Sequence, residues 1–141
     1  MWLGLVVLLL PTASSLPTTS AATAASAGSR VDIVLFGATG FTGRLAAEWM
    51  KERYGGTDLT WALAGRNEAK LESLRAELGR PDVPIIVADA SDATSVEAMV
   101  SRASVVANYA GTPFLTKALP VVEACSRLGV HYVDITGETA L

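Results

Sequence analysis

The chain is expected to fold as an α/β domain built on a doubly wound parallel sheet, and three observations lead there. From residue 30 onward, short apolar runs suited to strands alternate strictly with longer amphipathic stretches suited to helices. The strand-like runs, the first broken by Asp32, are too apolar to face water, as in a sheet covered by helices on both faces. The first run, VDIVLF, passes directly into a turn with glycines at 37, 40 and 43, after which a helical pattern starts. A strand, a glycine-rich turn and a helix in that order open a dinucleotide-binding fold of the Rossmann type.

The elements follow in order. Strands are expected at 31–36, 59–64, 84–88, 104–108 and 130–135, with helices at about 41–53, 67–79, 92–102 and 114–128. On the first helix Leu45 and Trp49 stand four residues apart and are expected to form a core pair. Leu71, Leu74 and Leu78 share one face of the second helix, which Asn67 can cap and Gly79 can end. Each such leucine contributes roughly 1.5–3 kcal/mol on burial. Thr94-Ser95-Val96-Glu97 fits a capping box for the third helix, with Ser91 and Asp92 as competing caps. Cys125 lies beside Val121, Val122 and Leu128 on an apolar face and is expected to be packed and unreactive. Trp61 and Tyr132 read as core residues of their strands, and His131 as structural.

Residues 1–29 differ from this pattern. They contain no Asp, Glu, Lys or Arg, and an apolar run from Leu3 to Leu10 gives way to a tract rich in Ser, Thr, Ala and Pro. The run is too short to span a bilayer, which takes about 20 residues. It suits the apolar core of a signal peptide, although no basic residue precedes it. The segment is expected to be an unfolded leader or targeting sequence, with membrane association or an organelle as destinations and the cytoplasm if it does not function. Residues 30–141 are expected to form one domain.

Composition excludes several functions. Half of the 141 residues are hydrophobic, the net charge is −3 and the pI is near 5.1, which argues against a nucleic-acid surface. One cysteine and one histidine leave no disulfide framework and make a metal site improbable.

The remaining chemistry lies at the carboxyl ends of the expected strands, where such sheets bind ligands. Gly37, Ala38, Thr39, Gly40, Phe41, Thr42 and Gly43 form the turn that would cradle a pyrophosphate, since its glycines permit close approach and the helix N–H groups face negative charge. Arg66 follows the second strand, at the position where NAD-binding folds carry a carboxylate for the ribose 2′-hydroxyl. An arginine there pairs with a 2′-phosphate instead, so NADP is favoured over NAD. Asp89, after the third strand, is placed to accept a hydrogen bond from an adenine amino group or from neighbouring backbone. After the fourth strand, Ala110 and Gly111 belong to a loop of small residues, 108–114, that would pass the pyrophosphate and nicotinamide ribose. Asp134 and Glu138 lie near the expected nicotinamide end, and no catalytic acid or base is assigned.

In sequence, GATGFTGRL, WALAGRNEAKL, the Asp89 loop, VVANYAGTPF and ACSRLGVHYVDITGE resemble the NADP-binding domain of saccharopine dehydrogenase-like oxidoreductases, the group that includes trans-acting enoyl reductases. The likeness covers residues 31 to about 139, and HYVDITGE combined with GATGFTG is its most specific part. It implies an NADP-dependent oxidoreductase whose small-molecule or lipid substrate is held by a second domain. Two features depart from the family pattern: Thr112 stands between Gly111 and Pro113, and Ala118 occupies a place that usually holds glycine. The sequence stops at Leu141, before a sixth strand or a substrate domain. The chain is therefore expected to be the first part of a longer protein, with self-association through an exposed sheet edge as a further expectation. Two other readings stay open. One is an atypical short-chain dehydrogenase relative, whose usual Tyr-x-x-x-Lys pair is not found here; the other is a non-catalytic NADP sensor.

Overall fold

The structure, a computed structural model, describes residues 28–110 and 117–135. The expectations for residues 1–27, for Gly111 and the rest of the 111–116 loop, and for Glu138 therefore lie outside the described residues.

Five strands, β1 (Val31–Phe36), β2 (Trp61–Gly65), β3 (Ile85–Val87), β4 (Ala103–Asn108) and β5 (His131–Asp134), form one sheet in the order β3-β2-β1-β4-β5. Every neighbouring pair is parallel. Parallel neighbours need crossover connections, and the helices α1 (Phe41–Tyr54), α2 (Glu68–Leu78), α3 (Ala93–Val100) and α4 (Leu119–Leu128) supply them. The strand order reverses between β1 and β4, so the chain winds outward from β1 in both directions.

Side chains alternate across the sheet and build two cores. On one face Leu35, Leu63 and Ala107 pack with Ala47 and Met50 of α1 and with Leu71, Leu74 and Leu78 of α2. On the other face Val34, Ala62 and Val106 meet Val96, Met99 and Val100 of α3 and Val121, Ala124 and Cys125 of α4. The central strands fit the apolar reading, since all of β2 is buried. The sheet edges do not. Val87 on β3 is 48% exposed and Val133 on β5 is 53% exposed, because an edge strand has a neighbour on one side only.

The helix ends follow the expected chemistry. Asn67 accepts a hydrogen bond from the Lys70 N–H at 3.0 Å and starts α2, which Gly79 ends. Among the candidate caps of α3, Asp92 takes the role by accepting from the Thr94 N–H at 3.0 Å.

Helix α1 corrects an expectation. Leu45 and Trp49 are 50% and 54% exposed, and the buried stripe is Gly43, Ala47 and Met50. Small residues at 43 and 47 let the helix axis approach the sheet closely, which turns the larger stripe outward. Trp49 instead stands edge-on against Tyr54, with ring centroids 5.5 Å apart.

Candidate functional site

The carboxyl ends of β1, β2 and β4 and the loop after β3 open onto a cleft of about 410 Å³. At its centre lies the β1–α1 turn. The Gly37 and Ala38 N–H groups both donate to the Ala64 carbonyl of β2, at 2.9 and 3.2 Å, and the Gly40 N–H donates to the Gly37 carbonyl at 3.1 Å. These bonds hold the turn over the sheet end without using the start of α1. Gly40 precedes that helix, no side chain caps it, and its first turn holds no acidic residue.

The three glycines of the turn have different reasons. Gly37 has φ +82°, and a Cβ there would lie 2.5 Å from the Ala110 nitrogen. At Gly43 a Cβ would lie 2.2 Å from the Gly37 carbonyl oxygen, so this glycine lets α1 close on the turn. Gly40 has ordinary φ and ψ, and its Cβ would meet only the Gly37 oxygen, at 3.4 Å. Among the described residues nothing demands glycine at 40.

The sequence-derived candidates are partly gathered here. Gly37, Thr39, Gly40, Arg66, Asp89 and Ala110 line the cleft. Ala38 and Gly43 are buried beneath it, while Phe41 is 83% exposed and Thr42 is exposed; none of these four lines it. Arg66 is exposed and belongs to none of the ion pairs among the described residues. Its charge acts on Asp89 across the cleft.

Asp89 is engaged locally. Its Oδ1 accepts from the Ser91 hydroxyl at 2.6 Å and from the Ser91 N–H at 2.9 Å. Those two bonds, with the Arg66 charge, hold its carboxyl below the usual aspartate range despite some desolvation. The neighbouring-backbone partner expected for Asp89 is the Ser91 N–H.

Behind the β4 loop runs a chain of side chains. Asn108, 3% exposed at the end of β4, accepts from the Ala110 N–H at 2.9 Å through its Oδ1. Its Nδ2 donates to the Tyr132 oxygen at 3.0 Å, and the Tyr132 hydroxyl donates to Asp134 Oδ2 at 2.8 Å. Burial pushes the Tyr132 hydroxyl up to about 12, and its bond to Asp134 adds to the shift.

Sequence reasoning missed Lys117 and Gly65, which also line the cleft with Tyr109 of the expected 108–114 loop, and weighed Ser91 only as a helix cap. Lys117 carried no signal in the sequence, where it falls inside the helix expected at 114–128; the structure starts α4 at Leu119 and leaves Lys117 just ahead of it. Cys125 is buried as expected, and desolvation pushes its thiol up to about 11, so it is no thiolate at neutral pH. His131 heads β5 and is exposed. Among the described residues no helix is long and apolar enough to cross a membrane, and no His, Cys, Asp and Glu group is placed to hold a metal.

Comparison with known proteins bears on the whole arrangement. Residues 33–141 match the family described as saccharopine dehydrogenase NADP binding domain. A trans-acting enoyl reductase of Mycobacterium leprae (strain TN) is 48% identical over 109 residues, which cover 76% of this chain and 25% of that protein. The chain thus spans about a quarter of the length of this curated relative. Among solved structures, apo saccharopine dehydrogenase (L-Glu forming) from Saccharomyces cerevisiae is similar in fold, with TM-score 0.63 and 18% identity over 77% of this chain and 22% of that one. A short-chain dehydrogenase/reductase from Veillonella parvula, in complex with NADP, has TM-score 0.59 and 19% identity over 75% of this chain and 47% of that one. With a matching family model over most of its length and a sheet wound as in the saccharopine dehydrogenase fold, this chain belongs to the saccharopine dehydrogenase NADP-binding domain family.

Proposed function

We propose that the chain is the cofactor-binding part of an NADP-dependent oxidoreductase and that its cleft holds NADP(H). The observation that carries this reading is Gly40: a glycine with no steric reason among the described residues, before an uncapped helix start, facing the cleft. A pyrophosphate lying against that N-terminus supplies the missing reason, because a side chain at 40 would occupy its space. Backbone at Phe41, Thr42 and Gly43 contributes the helix N–H groups even though their side-chain positions lie off the cleft wall. Arg66 pairs with the 2′-phosphate, and the loop carrying Ala110 and Gly111 runs beside the rest of the cofactor. Asp89, bonded to Ser91, shapes the adenine end.

When bound, the nicotinamide would donate or accept hydride. The small-molecule or lipid-linked substrate would be held by a domain outside this chain. The naming of the mycobacterial relative as an enoyl reductase supports reduction of a carbon–carbon double bond as the reaction class.

The test is a fluorescence titration of the 141-residue chain with NADPH and NADH, beside an Arg66→Ala variant shown by circular dichroism to be folded. NADPH is expected to bind more tightly than NADH. The variant should lose about ten- to a hundredfold of NADPH affinity and most of the preference, as a charge-assisted bond to the 2′-phosphate requires. Equal affinity of the wild-type chain for both nucleotides would overturn the role of Arg66. A folded chain that binds neither would overturn the cofactor reading.

A further inference from the structure

We propose that Tyr132 and Asp134 of β5 are positioning residues for the cofactor cleft, acting through the Asn108 amide on the backbone at Ala110. The argument begins with Asn108, the one polar side chain among the buried residues described. A buried amide must satisfy its groups, and here each partner dictates the next. The Ala110 N–H needs an acceptor, so Asn108 turns its Oδ1 to it at 2.9 Å. That leaves Nδ2, a donor, facing Tyr132 at 3.0 Å, and the phenol oxygen must accept. The Tyr132 proton then has one direction left, toward Asp134 Oδ2 at 2.8 Å. Every bond runs the same way, from the Ala110 amide to a carboxylate, and bonds so aligned polarise and strengthen one another.

The sheet register makes this chain possible. Asn108 stands beside Asp134, and Val106 beside Tyr132, so all four side chains lie on one face of the β4–β5 pair. Ala110 is where the chain reaches the cleft. It lines the cavity, and its nitrogen and Cα lie against Gly37, leaving no room for a Cβ there. The Tyr109 N–H also donates to the Phe36 carbonyl at 2.7 Å, so the loop after β4 is clamped to the glycine turn. A change at Asp134 is thereby felt at the turn that the proposed pyrophosphate occupies. The edge strand β5, which lines none of the cleft, becomes part of the cofactor site.

This proposal rests on the NADP reading, and its test separates the two. Tyr132→Phe in the 141-residue chain keeps the ring and removes the hydroxyl. It is expected to weaken NADPH and NADH alike, by on the order of three- to tenfold, about the net worth of one hydrogen bond, since the lost bonds act on the cleft only through Asn108. The preference between the nucleotides should stay as in wild type, in contrast to Arg66→Ala. The amide resonance of Ala110 should move upfield in the unliganded variant, a change that general loosening of the fold does not produce at one site. Asp134→Asn is the second variant, used with the same readouts if Tyr132→Phe fails to fold. Wild-type affinity in a folded variant overturns the proposal, and so does lost affinity with an unmoved Ala110 resonance. A folded wild-type chain that binds neither nucleotide overturns the NADP reading itself and this role with it.

Discussion

Gly37, Gly40 and Gly43 look alike in the sequence, and only their surroundings separate them. A Cβ on Gly43 would sit 2.2 Å from the Gly37 oxygen, a backbone atom that cannot swing aside. Gly43→Ala is therefore expected to destabilise the fold by about 1–3 kcal/mol, the range for overpacking. Thermal unfolding should show it as a drop of roughly 4–8 °C per kcal/mol in a domain of this size. Gly40→Ala meets only one atom at ordinary contact distance and should leave the melting temperature unchanged, while weakening NADPH in the titration. If a folded Gly40→Ala variant binds NADPH as tightly as wild type, the pyrophosphate reading of the turn is wrong. The spacing of the glycines was legible without a structure. Which one belongs to the fold and which to the ligand was not, because that depends on the Ala110 loop, which arrives some 70 residues later.

At the scale of elements, local chemistry was read well where it is short-range. Asn67 caps α2 within three residues of itself, and the leucine stripe repeats every three or four. Asn67→Ala is expected to cost about 1 kcal/mol by leaving the Lys70 N–H without its partner. Denaturant unfolding should show a lowered midpoint with an unchanged slope. Helix α1 shows where periodicity stops deciding. Its sequence carries two stripes at helical spacing, Phe41-Leu45-Trp49 and Gly43-Ala47-Met50, and the larger one looks like core. The sheet selects the smaller, since closing α1 onto the glycine turn requires that Gly43 face inward. The Arg44–Glu77 pair at 2.6 Å then ties α1 to α2 across the surface. It is too exposed to add much stability.

The whole molecule sets the response to pH. Asp32, Glu77, Asp82 and Asp89 all titrate below their ordinary values in the folded chain, through bonds to Thr60, to Arg44 and Ser73, to Arg80, and to Ser91. The unfolded chain therefore binds protons first on acidification. Their stabilisation is full above about pH 5 and lost as pH falls through the folded values. At the other end, burial moves the Cys125 thiol from 9.0 to about 11 and the Tyr132 hydroxyl from 10.0 to about 12. A raised folded value contributes stability that is full below the unfolded one and lost as pH rises through the folded one. Urea unfolding across pH 3–11 should accordingly give a plateau between about pH 5 and 9 that falls on both sides. Cys125→Ala should shallow the alkaline side, and an unchanged slope there would show that the thiol stays protonated in both states.

The amino-acid sequence by itself determined the fold class, the alternation of strands and helices, the family and the run of residues around the glycine turn. These rest on local periodicity, turn chemistry and motif order, all written within a few dozen neighbouring residues. The tertiary structure alone decided which face of α1 is buried, that Lys117 and Gly65 join the cleft, and that Asp89 spends its carboxylate on Ser91. It also decided that Asn108, Tyr132 and Asp134 form one hydrogen-bonded line to Ala110. Apart from the Asp89–Ser91 contact, which spans two residues, each of these depends on segments far apart in the chain lying side by side. No periodicity within one element can encode which side chain its neighbour will place opposite.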